Sequence, residues 1–172
     1  MSVQSITDIR QYLTFQLGNE VFGIDVFNVR EILEFTSVTK VPKTPDFMRG
    51  VINLRGSVVP VLDMRLKFGL TETQRTVNTC VVVVEVSFDG ENIVMGALVD
   101  SVQEVFEMDS SLIEPAPRIG TRLKTEFIKG MGKKDDSFII ILDIAKVFSF
   151  EEIAGVMESE TNPSGASKAV NE

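Results

Sequence analysis

Residues 47–68, FMRGVINLRGSVVPVLDMRLKF, read as a β-hairpin followed by a helical turn. Val51, Ile52 and Leu54 lie before the bend, and Val58, Val59, Val61 and Leu62 lie after it. Asn53-Leu54-Arg55-Gly56 makes the bend, because glycine takes a positive φ that costs other residues a steric penalty. Arg55 is thereby lifted to a tip. Pro60 has no backbone N–H to give to a ladder, so the returning strand is expected to be an edge, or to bulge, at that point. Asp63 has the chemistry of an N-cap for a helical turn over 64–68.

The same stretch returns in weaker form. Phe47-Met48-Arg49-Gly50-Val51 reappears as Phe127-Ile128-Lys129-Gly130-Met131, 80 residues downstream. At the same spacing Ser57 returns as Ser137, Leu62-Asp63-Met64 as Leu142-Asp143-Ile144, and Phe68 as Phe148. Upstream, Gly23, Val29, Glu31, Ile32 and Glu34 match Gly96, Val102, Glu104, Val105 and Glu107 at an offset of 73. The register holds over positions of mixed chemical type, so the chain contains two half-domains with one plan. Two copies are too few for a solenoid, which leaves a pseudo-symmetric pair.

The chain in order supports an all-β reading. Residues 1–10 are expected to fray. Leu13, Phe15 and Leu17 alternate with polar residues, Gly18-Asn19 turns, and residues 21–24 return. Residues 25–29 read equally as a helical turn or a strand, and residues 30–35 as a strand. Thr44-Pro45 has the pattern of an N-cap with proline at the first helical position. The polar stretch 69–78 joins the halves. Residues 79–86 form an apolar strand, Asp89-Gly90 a hairpin turn, 93–99 its return, and 104–108 a continuation of the same sheet. A loop over 110–122 holds Pro115 and Pro117. Ser149 and Glu152 form a capping box for a C-terminal helix whose apolar face is Phe150, Ile153, Ala154 and Met157. After residue 158 the composition predicts a disordered tail over 159–172. Two copies of about five short strands each suggest two small antiparallel barrels, which remove most exposed sheet edges.

Composition excludes several functions. The 172 residues carry a net charge of −8, against the basic face that a phosphate-dominated nucleic-acid binder needs. Lys129, Lys133 and Lys134 form a local basic run, but Asp135 and Asp136 follow it, and the run reads as a solvated hairpin turn. There is no histidine, so His-based triads, His zinc ligands and histidine phosphotransfer within the chain are ruled out. Gly132-Lys133-Lys134 lacks the spacing and the hydroxyl of a P-loop. Asp63 and Asp143 hold equal places in the repeat and read as caps, not catalytic carboxylates. Cys80 is the sole cysteine and is expected in the core. Neither a signal peptide nor a bilayer-spanning run is evident, which points to the cytoplasm. No catalytic, cofactor or metal site is expected. The residues describe a non-enzymatic β module that works through its surface.

With these residues in hand, a family resemblance emerges. Gly23-Ile24-Asp25 with Val29-Arg30-Glu31-Ile32, then Arg49-Gly50-Val51-Ile52-Asn53-Leu54-Arg55-Gly56, then Val58, Pro60, Asp63, Arg65 and Phe68, resemble the CheW family of chemotaxis coupling proteins. Gly96, Val99-Asp100, Val102 and Pro115-Ala116-Pro117 extend the match, which covers about residues 10–155. The resemblance implies two pseudo-symmetric SH3-like five-stranded β-barrels, with short helices ending each half. On that basis residues 1–158 form one CheW-like domain, with 10–75 and 142–158 as the first barrel plus C-terminal helix and 76–141 as the second barrel. It implies an adaptor that joins the cytoplasmic tips of membrane chemoreceptors to the regulatory domain of the histidine kinase CheA, recruited to receptor arrays at the inner face of the membrane. A receptor helical hairpin is expected in an apolar groove. Carried over by position, Val29, Glu31 and Ile32 edge that groove, with Val102 and Val105 as counterparts, although core packing is the commoner role for such valines and isoleucines. Gly50, Arg55 and Gly56 fall to the kinase or partner interface, the glycines chiefly as backbone residues, and Arg55 is expected to pair with Glu31. The lack of a receiver-like extension disfavours the CheV type. The competing readings are a small-molecule-binding barrel with a cavity lined by Phe15, Phe22 and the valine run, a nucleic-acid module, and a CheW-like coupler of a non-flagellar motility pathway.

Overall fold

The computed structural model describes residues 9–88, 90–115 and 125–148. Ten strands run in chain order as β1 (Ile9–Leu17), β2 (Glu20–Asp25), β3 (Val29–Glu34), β4 (Met48–Leu54), β5 (Ser57–Asp63), β6 (Cys80–Phe88), β7 (Glu91–Val99), β8 (Ser101–Asp109), β9 (Ile128–Lys134) and β10 (Ser137–Leu142). The short helices α1 (Met64–Lys67) and α2 (Ile144–Val147) follow β5 and β10. The strands form two five-stranded sheets, ordered β8-β1-β2-β10-β9 and β3-β6-β7-β5-β4.

Advancing every strand of the first order by five positions produces the second. The duplication seen in the residues is therefore a duplication of pairings. Gly23 lies beside Ile141 and Gly96 beside Val61, both in parallel ladders. Met48 and Gly50 face Leu62 and Val61 across a register shift, as Ile128 and Gly130 face Leu142 and Ile141. Each sheet curls until its edges meet. Thr39, beyond β3, bridges Val51 of β4, and Glu114, beyond β8, bridges Met131 of β9.

The expected division into residues 10–75 and 76–141 is overturned. Each barrel takes two strands from one copy and three from the other, because each copy crosses over at its third strand, β3–β5 joining β6 and β7, and β8–β10 joining β1 and β2. After β2 a 3-10 turn at Val26–Asn28 redirects the chain, and β3 pairs with β6. After β7, β8 likewise leaves for β1 and does not continue its own sheet.

This exchange explains why β1 and β6 are buried on both faces. Leu13, Phe15 and Leu17 from one sheet, and Val82, Val84 and Val86 from the other, belong to one core shared by both barrels. Tyr12 points instead into its own barrel with Met108, Ile139 and Ile141, and Val81 and Val83 into theirs with Phe35, Val61 and Leu98. Phe15 stacks on Phe22 with ring centroids 5.9 Å apart, and Phe68 continues the row to Phe127. These rings are buried in the core shared by the two sheets and not inside one barrel, so Phe15 and Phe22 do not lie where the ligand-binding reading needs them.

Smaller expectations also change. Thr44 caps no helix; its hydroxyl donates to the Val41 carbonyl at 2.9 Å, and Pro45 accepts from Met48 in a turn. Residues 25–29 resolve as a 3-10 turn capped by Asp25, whose side chain accepts from the Phe27 amide. Pro60 faces Val51 where β5 has a neighbour on one side only, since the ladder to β7 begins at Val61. Asp143 precedes α2 without a side-chain cap bond. Cys80 is half-buried at the rim of the shared core. The predicted C-terminal helix, the tail and Asp89 lie outside the described residues.

Gly50 tests the close approach that shuts one barrel. It sits at φ 149°, and a Cβ there would lie 2.4 Å from the Thr39 carbonyl oxygen. Gly56, at φ 89°, has open space around it. Gly50→Ala is expected to cost about 3 kcal/mol through backbone displacement, and Gly56→Ala about 1 kcal/mol through conformation alone. Urea midpoints at unchanged slope check the difference.

Candidate functional site

The region of interest begins with a bulge. Val29 and Ile32 are three residues apart and in a regular strand would point to opposite faces. The ladder shifts between Val29 and Glu31, so that Val29 faces Val84 and Ile32 faces Val82. Cross-strand partners share a face. Val82 and Val84 look toward the other sheet, so Val29 and Ile32 do too. The extra residue in β3 thus turns both side chains onto one wall.

The other copy repeats the device. The β1–β8 ladder shifts between Leu13 and Phe15, so Val102 faces Phe15 and Val105 faces Leu13. Val102 and Val105 therefore share the inward face of the opposite sheet. Val29 and Val102 are half-buried and pack on the same shared core. Ile32 and Val105 remain 43% and 51% exposed. Four of the five residues expected to edge a groove thus form two equivalent apolar strips running outward from one core.

Glu31 does not join them. It faces Val83 across the ladder and so turns to the barrel side of β3. There its carboxylate accepts from the Arg55 guanidinium, making the anticipated ion pair. Arg55 is held at the hairpin tip with φ 51°, followed by Gly56 at φ 89°, and Asn53 Oδ1 accepts from the Gly56 amide at 2.8 Å. The Arg55 side chain is 69% exposed, so the pair contributes at most about 1 kcal/mol to stability. Its geometric effect is larger: it ties the tip of the β4–β5 hairpin to the back of the strand that carries Ile32. Gly50 is buried under Thr39 and presents no contact surface, whereas Gly56 is exposed at the tip.

Asp63 is the most heavily bonded side chain in the hairpin, and its part is wider than the cap predicted for it. With no exposed side-chain surface, its Oδ1 accepts from the amides of Arg65 and Leu66 and from Thr73 Oγ1 at 2.7 Å. Its Oδ2 accepts from Arg49 Nη1 and the Thr73 amide, both at 3.0 Å. One carboxylate thereby joins β4, α1 and the linker between the copies. Asp100 makes a second junction, accepting from Arg65 Nη1 at 2.8 Å and from the Gly18 amide at 2.7 Å.

Two features escaped the sequence reading. Phe27, 92% exposed in the turn before β3, lines a recess of about 340 Å³ with Ile9, Val26 and Glu107. Lys134 pairs with Glu104, so it is not the freely solvated turn lysine expected. The repeat maps Glu31 onto Glu104 but Arg55 onto Asp135, so it points to the acid of this pair and not to its cation. Among the described residues no three His, Cys, Asp or Glu side chains gather as a metal site. No described helix is long and apolar enough to cross a membrane.

The arrangement defines a class: a duplicated, strand-exchanged β scaffold that displays paired apolar strips and braced hairpin tips. Comparison with known proteins agrees. Residues 11–152 match the model of the CheW-like domain. A chemotaxis protein CheW of Klebsiella aerogenes is 40% identical over 145 residues, 84% of this chain and 85% of that protein. The Treponema pallidum CheW is 30% identical over 143 residues, 83% of this chain and 84% of its own length. The crystal structure of the scaffolding protein TtCheW from Thermoanaerobacter tengcongensis superposes with a TM-score of 0.73 at 36% identity, covering 83% of this chain and 90% of that one. The chain belongs to the CheW-like family. Its role is that of a chemotaxis adaptor with the fold of two SH3-like barrels.

Replacing Asp63 by alanine leaves the buried Thr73 amide without its acceptor and takes from Arg49 its buried carboxylate, leaving it Glu72 and the Thr73 carbonyl. Loss of such a buried partner is expected to cost about 3 kcal/mol or more. Chemical denaturation of Asp63→Ala beside Asp143→Ala checks this, the second variant expected to shift stability by less than about 1 kcal/mol.

Proposed function

We propose that this chain couples the cytoplasmic tips of transmembrane chemoreceptors to the regulatory domain of a CheA-type histidine kinase. It does so by contact alone, with no chemistry of its own, at receptor arrays on the cytoplasmic side of the membrane. The observation that carries the reading is the pair of equivalent apolar strips, Val29 with Ile32 and Val102 with Val105, each half-buried at one end and exposed at the other. An amphipathic helix offers apolar side chains at i, i+3, i+4 and i+7, and a rigid apolar wall is the surface that accepts it. Binding energy then comes from a few desolvated anchors, with the surrounding charges setting specificity. Arg55 and Gly56 at the braced tip belong to the second surface, which meets the kinase. Receptor state passes to the kinase as a difference in contact free energy between two states of the assembly.

Co-sedimentation with receptor-hairpin arrays and a CheA-type regulatory domain tests this. Wild type is expected to sediment with both. Ile32→Glu places a charge on the apolar wall and is expected to weaken receptor association about ten-fold or more while folding normally, since the side chain is already partly solvated. Arg55→Glu puts two acids together and is expected to lower partner association without changing the unfolding midpoint by more than about 1 kcal/mol. A wild-type protein that sediments with neither partner would overturn the reading.

A further inference from the structure

The repeat places a second brace on the other sheet. Glu31 and Glu104 are equivalent at the offset of 73, as are Ile32 and Val105. Both glutamates lie at the bulge of their strand, directly before the exposed apolar residue. In the first copy the hairpin tip reaches Glu31 through Arg55. In the second, position 135 has the same left-handed backbone, φ 54°, but carries an aspartate, which would repel Glu104. The cation stands one residue earlier, at Lys134, and its ammonium pairs with Glu104. It also lies 5.3 Å from the centre of the Phe106 ring, two residues further along the same face of β8. The Glu104 backbone is held independently. Thr14 Oγ1 donates to the Glu104 carbonyl oxygen at 2.8 Å and accepts from the Glu104 amide at 3.1 Å, satisfying both groups where the ladder skips.

We propose that Lys134 and Glu104 are positioning residues that brace β8 and present Val105, as Arg55 and Glu31 brace β3 and present Ile32. The partner surface is thus supported at two equivalent points by different cations. The benefit to partner binding rests on the adaptor reading above; the bracing of β8 does not. Both side chains are partly solvated, so the pair adds little to global stability and acts on where the strand sits.

The test uses the full chain as Lys134→Glu, Glu104→Lys and the double exchange. Each single variant is expected to weaken receptor-array association by about five-fold or more, by placing like charges together, and the double exchange to return to within about two-fold of wild type. Urea midpoints should remain alike. Amide exchange at Glu104 and Val105, measured without any partner, should quicken in the single variants and recover in the double. Single variants that match wild type in both measurements, or a double no better than the singles, would overturn the brace. If wild type binds no receptor array while the exchange pattern holds, the adaptor reading fails and the brace stands.

Discussion

Neither copy of the repeat can close a barrel with its own strands. The return strand of each hairpin lies parallel to a strand of the sister copy, Val61 beside Gly96 and Ile141 beside Gly23. The glycines ease that approach: a Cβ on Gly96 would sit 3.3 Å from Val61 Cγ2, and one on Gly23 3.3 Å from Ile139 and Ile141. Two copies exchanged this way cannot come apart without breaking both sheets. The core between them, from Phe15 through Phe22 and Phe68 to Phe127, belongs to both. Strand exchange thus holds the two copies together, and the shared apolar core holds the two barrels against each other.

The two halves are not pinned alike. Asp63 collects five donors with its side chain fully buried, while Asp143, in the equivalent position, keeps partial exposure and makes no side-chain cap. The difference lies in the surroundings. Arg49 has Lys129 as its counterpart, and the linker that brings Thr73 onto Asp63 exists only between the copies. A buried carboxylate is tolerable only when its acceptor positions are filled, so burial and bonding at Asp63 must arise together. The backbone contact beneath both is kept: Asp63 donates its amide to the Phe47 carbonyl and Asp143 to that of Phe127.

The internal repeat, the ten strands' approximate places and the tip at Arg55 are legible in the residues, because glycines, caps and apolar alternation are local signals. The exchange of strands is not. β8 alternates in the same way whichever sheet receives it, and nothing in its residues names β1 as its neighbour. The bulges are hidden for a related reason: Val29 and Ile32, three apart, fit a helical turn as well as a strand with an extra residue. The resemblance carries Glu31 over with them by position, but the bulge turns it to the other face. The part of Lys134 is hidden because it lies one position out of register with Arg55, a shift that only the fold of the turn accounts for.

Exposed apolar residues on edge strands invite unwanted pairing, and β3 and β8 are the edges of their sheets. Three features oppose it here. Each bulge interrupts the flat ladder that another strand would need. Charged or polar neighbours flank each anchor, Arg30, Glu31 and Glu34 around Ile32, and Gln103, Glu104 and Glu107 around Val105. The bridges at Thr39 and Glu114 carry each chain on from its edge to the opposite side of the barrel. The bulges and flanking charges blunt the backbone edge and leave the side-chain wall open. A wall of that kind favours a partner that brings apolar side chains on a backbone already satisfied, which is the property of a helix.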